Sequence, residues 1–133
     1  MNKILVGALV VVVVVLGMSR FRSRRIVSTG GAPYSRITAL QAKTMMEDED
    51  VVVVDVRTEA EFLGGHIPGA INIPVQEIGA TPPGRLEDLD ATILVYCRSG
   101  ARSARAARRL LGLGYTTVHD FGGIIRWSDA LVQ

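Results

Sequence analysis

The chain has 133 residues, 48% of them hydrophobic, which is enough for one compact domain with an apolar core and little else. The formal net charge of +2 is unevenly distributed: residues 1–35 carry five basic residues and no acid, whereas residues 36–133 carry ten basic and thirteen acidic residues. This distribution argues against nucleic-acid binding by a basic face of the domain, and the single cysteine excludes an intramolecular disulfide and a cysteine-rich zinc site.

Residues 4–18 form an unbroken run of apolar residues and glycine. As a helix this run spans roughly 22 Å, against about 30 Å of bilayer hydrocarbon, and flanking residues can extend the buried stretch. We therefore predict a transmembrane anchor over residues 1–20. Because four arginines follow the run, we expect a single-pass protein whose C-terminal domain lies in the cytoplasm. The alternative is a signal peptide that exports the domain.

Residues 21–35 are rich in arginine, serine and glycine, which predicts a basic flexible tether. The folded domain is then predicted to cover residues 36–133. Its first element is a helix over residues 38–47, capped by Thr38, with Leu40, Met45 and Met46 facing the core.

The next elements alternate between strands and helices. Residues 51–56 are a short β-branched run that predicts a strand buried on both faces. Thr58 and Glu61 form a capping box that starts a helix ending at Gly64-Gly65. Residues 71–73 predict a brief strand, and Pro74 opens a short helix through Ile78.

A loop is predicted over residues 81–90, a second buried strand over residues 92–96, and a helix over residues 103–111. A third clear strand over residues 115–118 and a final helix over residues 124–132 complete the chain. Strands that alternate with helices predict an α/β layered fold with a mainly parallel sheet.

The segment around Cys97 is where the chemistry is expected. Cys97 directly follows a buried strand, at the end where open α/β sheets bind their ligands. Gly100 lets the backbone turn so that N–H groups face the sulfur, and the following helix N-terminus adds positive potential. Arg98 and Arg102 add full positive charges. All of these favour the thiolate, so we predict that Cys97 is a catalytic nucleophile.

This cysteine loop and three further segments resemble motifs of the rhodanese family. The further segments are residues 55–62, beginning Asp-Val-Arg, residues 65–74, and residues 121–127. The resemblance covers nearly all of residues 36–133. It implies a three-layer fold with a five-stranded, mainly parallel sheet and helices on both faces, to which the sequence adds one N-terminal hydrophobic helix.

The resemblance also implies sulfur transfer. Cys97 would take the outer sulfur of a small anionic donor such as thiosulfate, forming a persulfide, and a thiophilic acceptor would then remove it. No metal or organic cofactor is implied, because the cysteine carries the sulfur. Asp55 and Arg57 would support the pocket. The residues expected to bind the substrate are Arg98, Ser99, Gly100, Ala101, Arg102 and Ser103.

Three alternatives to this enzyme function remain open. A cysteine phosphatase uses similar chemistry, but its arginine stands six positions after the cysteine, whereas Arg102 stands five positions after Cys97. A noncatalytic rhodanese-like binding module is the second alternative. A carrier that passes its persulfide sulfur to a protein partner is the third.

Overall fold

The computed structural model describes residues 33–133, so the predicted anchor and almost all of the predicted tether lie outside the described residues. Across the described range, no helix has the length and apolar character needed to cross a membrane. Five strands form one sheet in the order β1-β5-β4-β2-β3, and all neighbouring pairs are parallel. The strands are β1 (Ser35–Arg36), β2 (Val51–Asp55), β3 (Ile71–Asn72), β4 (Thr92–Cys97) and β5 (Thr117–Gly123).

Three α-helices and two short 3-10 helices connect the strands. They are α1 (Ala39–Asp48), α2 (Glu59–Leu63), α3 (Ala101–Gly112) and the 3-10 turns Val75–Glu77 and Ile124–Arg126. The five-stranded parallel sheet and the alternation of strands with helices confirm the predicted α/β fold.

The two central strands are buried on both faces, as predicted. Val54 and Val95 pack on one face with side chains of α3, whereas Val53 and Leu94 pack on the other with Ala42 of α1. Each buried aliphatic side chain contributes roughly 1.5–3 kcal/mol, so these two layers hold the central strand ends in fixed positions.

The helix starts predicted at Thr38 and at Thr58 are confirmed. Thr38 and Thr58 each form a capping box, with Gln41 and Glu61 as their respective partners. The predicted inward position of Leu40 is wrong, because its side chain is 73% exposed and Ala42 is buried instead. Two helical positions separate residues by about 200°, so Leu40 lies opposite the face that Ala42 presents to the sheet.

Several predicted boundaries differ from the structure. The sheet already begins at Ser35, within the predicted tether, because Ser35 and Arg36 pair with β5. Cys97 is the last residue of β4 rather than the first residue after it. Helix α3 begins at Ala101 instead of residue 103, because Gly100 adopts a left-handed conformation (φ 114°) that starts the helix directly.

The predicted strand over residues 115–118 begins later and continues to Gly123. The predicted helix over residues 124–132 is wrong, because only the single turn Ile124–Arg126 forms. Beyond it, Trp127 has extended backbone angles, and Val132 pairs with His66 through two backbone hydrogen bonds of 2.8 and 2.9 Å. The backbone N–H and C=O of Val132 therefore bond to a distant residue, His66, instead of to neighbouring residues in a helix.

Candidate active site

Cys97 lies at the carboxyl end of β4, where the chain turns into α3. Its side chain is 1% exposed, and its backbone is paired with Gly123 of β5. Only Arg98, Ser99 and Gly100 separate it from the first helical residue. The loop is therefore short, and the sulfur lies next to the N-terminus of a twelve-residue helix.

Hydrogen-bond donors surround the sulfur. The Gly100 N–H donates to the Cys97 Sγ at 3.0 Å, and the Ser103 Oγ lies 3.6 Å from the same atom. Burial raises the pKa of the Cys97 thiol, but hydrogen bonds from the Ser103 side chain and from backbone N–H groups of Ser103, Gly100 and Ser99 outweigh this effect. The pKa of Cys97 is consequently lower than that of an ordinary thiol, as an activated nucleophile requires.

The Ser103 hydroxyl is fully buried and can exchange hydrogen-bond partners. It donates to the carbonyl oxygens of Gly100 at 3.1 Å and Gly122 at 3.3 Å. Because a hydroxyl hydrogen can rotate, the same group can donate to the Cys97 sulfur once that sulfur is ionised. Ser103 therefore suits a site in which the sulfur changes its protonation state.

Arg102 is bound to a carboxylate of a different element. Its two terminal nitrogens donate to the two carboxylate oxygens of Glu61, at 2.7 and 2.9 Å. The hydrogen bond from Arg102 is the main cause that lowers the pKa of Glu61 to about 2. The sequence identified Glu61 as a capping residue only, and its pairing with Arg102 links α2 to the first turn of α3.

The other predicted loop residues have different exposures. Arg98, Ser99 and Ala101 are exposed, whereas Gly100 is buried. The Arg98 carbonyl oxygen accepts a hydrogen bond from the Ile125 N–H at 3.4 Å. The backbone of the loop is therefore held in place, while the Arg98 side chain extends into solvent.

Asp55 and Arg57 form a buried ion pair at the end of β2. The Arg57 Nε and Nη2 atoms donate to the Asp55 carboxylate at 2.7–3.1 Å, and Nη2 also donates to the Gly65 carbonyl oxygen at 2.7 Å. The two residues are 0% and 6% exposed, respectively. The pair thus joins the end of β2 to the turn after α2, an arrangement that suits the predicted supporting role.

Sequence analysis did not identify the contribution of β1 to this region. The Arg36 Nη2 lies 3.1 Å and 3.2 Å from the points where Gly100 and Gly122 would carry a Cβ. The Tyr34 hydroxyl donates to the buried Asp120 carboxylate at 2.6 Å, and the other Asp120 oxygen accepts from the Gly122 N–H at 2.8 Å. No local signal marks these residues, because only the order β1-β5-β4 brings them beside the loop.

No group of three or more histidine, cysteine, aspartate or glutamate side chains within residues 33–133 is arranged to hold a metal ion.

The family model that matches this chain is that of the rhodanese-like domain, and the similar proteins include sulfurtransferases. The family model for the rhodanese-like domain matches residues 38–130. A sulfurtransferase of Allochromatium vinosum is 40% identical over 90 residues, which cover 65% of this chain and 80% of that protein. The thiosulfate sulfurtransferase GlpE of Pseudomonas putida is 37% identical over 95 residues, which cover 71% of this chain and 84% of that protein.

The fold also matches solved structures. The crystal structure of a rhodanese-related protein from Thermoplasma volcanium superposes with a TM-score of 0.63 and 31% sequence identity. The superposition covers 74% of this chain and 98% of that protein.

Proposed function

Because this chain belongs to the rhodanese-like family, we propose that it is a thiosulfate sulfurtransferase that carries sulfur as a persulfide on Cys97. The observation that carries the proposal is the setting of the Cys97 sulfur, a lowered-pKa thiol that accepts a hydrogen bond from the Gly100 N–H at the start of α3. The sulfurtransferases to which the chain is similar support the same chemistry.

In the first step, the Cys97 thiolate attacks the outer sulfur of thiosulfate. A new S–S bond forms, the S–S bond of thiosulfate breaks, and sulfite leaves with the bonding electron pair. The product is an anionic persulfide on Cys97. In the second step, a thiophilic acceptor such as cyanide attacks the outer persulfide sulfur and regenerates the thiolate.

The N–H groups of the loop are suited to this cycle because they can stabilise negative charge on either sulfur without rearranging. The Ser103 hydroxyl can donate to the sulfur in the anionic states. The cysteine itself carries the transferred atom, so the proposed cycle includes no metal or organic cofactor.

The direct test is thiocyanate formation from thiosulfate and cyanide by the purified protein. We expect turnover by the natural chain and none by Cys97→Ser, because a serine hydroxyl is a far weaker nucleophile than a thiolate at neutral pH. Phosphatase turnover without thiosulfate activity would overturn the proposal in favour of a cysteine phosphatase.

Intact-mass spectrometry separates the enzyme from a binding module. Incubation with thiosulfate should add one sulfur atom to the natural chain and none to Cys97→Ser. No mass increase would favour the noncatalytic role. A persulfide that forms but reacts only with a protein acceptor would identify the chain as a sulfur carrier.

We further propose that residues 1–20 anchor the enzyme in a membrane as a single pass, with the catalytic domain in the cytoplasm. The support is the apolar run over residues 4–18 and the four arginines that follow it. Fractionation should recover the full chain in membranes and a chain lacking residues 1–32 in the soluble fraction. A C-terminal tag that external protease removes from intact cells would contradict the cytoplasmic placement and favour export.

A further inference from the structure

The arginines near the cysteine loop are not equally available to an anion. Both terminal nitrogens of Arg102 already donate to Glu61, and Arg57 is buried against Asp55. A thiosulfate dianion that approaches Cys97 would have to compete with a carboxylate for either guanidinium. Arg98 is exposed and forms no ion pair with a described residue, so its charge stays available to the donor. A second unpaired cation next to the loop would replace the charge that Arg102 shares with Glu61.

Arg36 meets this need by position and by charge. Its Nη2 lies beside both Gly100 and Gly122, and the Gly100 N–H donates to the Cys97 sulfur. Among residues 33–133, no carboxylate lies within ion-pair distance of Arg36, and its side chain is exposed. This guanidinium can therefore bind an anion without breaking an ion pair.

The two glycines provide the space that the Arg36 side chain occupies. Gly100 and Gly122 both have positive φ angles, of 114° and 84°, which disfavour any other residue. A Cβ at either position would lie 3.1–3.2 Å from the Arg36 Nη2, so the guanidinium would have to shift by a few tenths of an ångström. The absence of side chains at these two positions thus lets the guanidinium lie close to the loop backbone.

The strand that carries Arg36 is fixed to the same loop from its other side. The backbone of Arg36 lies opposite that of Asp120 in the β1–β5 strand pair, and the Tyr34 hydroxyl donates to the Asp120 carboxylate. Asp120 accepts in turn from the Gly122 N–H, and the Gly122 carbonyl accepts from Ser103. These contacts fix the backbone of Arg36 beside the cysteine loop.

We propose that Arg36 is a substrate-binding residue that binds the sulfonate oxygens of the anionic donor and stabilises the sulfite that leaves. This inference rests on the proposed sulfurtransferase function. In the step described above, the negative charge of the leaving sulfite grows on the side of thiosulfate away from Cys97. A guanidinium matches such oxygens through charge-assisted, bidentate hydrogen bonds.

The test measures persulfide formation on Cys97 in a single turnover. Replacing Arg36 with alanine should lower the second-order rate constant with thiosulfate by about 10- to 100-fold, the range expected for losing a charged hydrogen-bond donor. Alkylation by neutral iodoacetamide should change by less than about twofold, because the sulfur keeps its own donors. The rate with anionic iodoacetate should fall relative to iodoacetamide, and Arg36→Lys should restore part of the thiosulfate rate.

Arg105→Ala is the matched control, because Arg105 is an exposed arginine on α3 that is not part of the site. It should leave all three rates unchanged. An Arg36→Ala rate with thiosulfate equal to the natural rate would overturn the inference. Equal slowing with thiosulfate and iodoacetamide would overturn it as well, because it would indicate a structural role. If the natural chain formed no persulfide at all, the proposed function itself would fail.

Discussion

The ionisation of Cys97 depends on a balance between burial and hydrogen bonding. Burial disfavours the thiolate, whereas the donors of the loop favour it, and the donors prevail. The largest of these stabilising contributions comes from the Ser103 side chain, followed by backbone N–H groups. Sequence analysis predicted that the loop N–H groups, the helix N-terminus and the charges of Arg98 and Arg102 would all favour the thiolate, but Arg102 is paired with Glu61. Neutral hydrogen-bond donors therefore contribute more here than formal charges.

Replacing Ser103 with alanine should raise the pKa of Cys97, because the substitution removes a side-chain donor and keeps the backbone N–H. Less thiolate would then be present at neutral pH. The rate of iodoacetamide alkylation near neutral pH should fall by roughly tenfold, since a hydrogen bond to a charged group contributes about 1.5–3 kcal/mol. The measurement is the pH dependence of that rate.

Ser99→Ala is the control for this prediction, because Ser99 acts on the sulfur through its backbone N–H alone. Its alkylation profile should match that of the natural chain. A Ser103→Ala profile that titrates at the natural pH would show that the backbone donors suffice.

At the level of the elements, the end of β5 controls the shape of the cysteine loop. A Cβ at Gly123 would lie 2.3 Å from the Arg98 carbonyl oxygen and 2.7 Å from the Ser99 Cα. Neither of these backbone atoms can move without shifting the loop. Gly123→Ala should therefore reduce thiosulfate activity severely and lower the free energy of unfolding by about 1–3 kcal/mol.

Gly112→Ala tests whether this effect is specific to the site. Gly112 is the last residue of α3, and nothing lies within 4 Å of its Cβ position. Alanine there should leave activity unchanged and stability equal or slightly greater, by up to about 0.5–1 kcal/mol. Both quantities can be measured by urea unfolding and by the thiocyanate assay; full activity in Gly123→Ala would contradict the steric argument.

The pairing of α2 with α3 predicts a specific pH dependence of stability. Because Arg102 lowers the pKa of Glu61 from 4.5 to about 2, the pair contributes its full stabilisation above about pH 4.5. The contribution is lost as the pH falls from there towards 2. The free energy of unfolding of the natural chain should exceed that of Glu61→Gln by roughly 1 kcal/mol near neutral pH, and by less at about pH 3.

Glu59→Gln provides the comparison, since Glu59 lies in the same helical turn and forms no ion pair with any described residue. Its effect on unfolding should be smaller near neutral pH. A Glu61→Gln difference that stays constant between the two pH values would show that the pair does not contribute through ionisation.

The features that the sequence predicted correctly depend on neighbouring residues. Thr38 and Thr58 start helices because their side chains bond to backbone three residues later, and the β-branched run of β2 suits only a buried strand. Cys97 and Gly100 are likewise three residues apart, so the loop and its donors could be inferred from the local sequence.

The features that were missed depend on distant residues. Arg102 pairs with Glu61 across 41 positions, and Arg36 reaches Gly100 only through the order of the strands. The apolar residues after Gly123 suggested a helix, but the backbone of Val132 bonds to His66 instead. Local patterns cannot predict such partners, because the partner is brought near only by the completed sheet.

For the molecule as a whole, the position where the domain begins determines whether the sheet includes β1. The sequence placed the domain start at residue 36, and the rhodanese-like family model begins at residue 38. The structure places Tyr34 and the strand Ser35–Arg36 in contact with the end of β5. Residues 34–36 are therefore part of the fold, and Arg36 lies beside the cysteine loop.

A chain that begins at residue 37 should be less stable than one that begins at residue 33. It would lose the pairing of β1 with β5 and leave one Asp120 carboxylate oxygen buried without the Tyr34 donor. An unsatisfied buried acceptor costs about 1–3 kcal/mol, which corresponds to a fall in melting temperature of at least about 4–8 °C for a domain of this size. Calorimetry of both chains measures the difference. Tyr34→Phe in the longer chain should reproduce part of the fall, because it removes the hydroxyl and keeps the strand. Equal melting temperatures for the two chains would mean that β1 only rests on the sheet edge, and that the domain is complete without it.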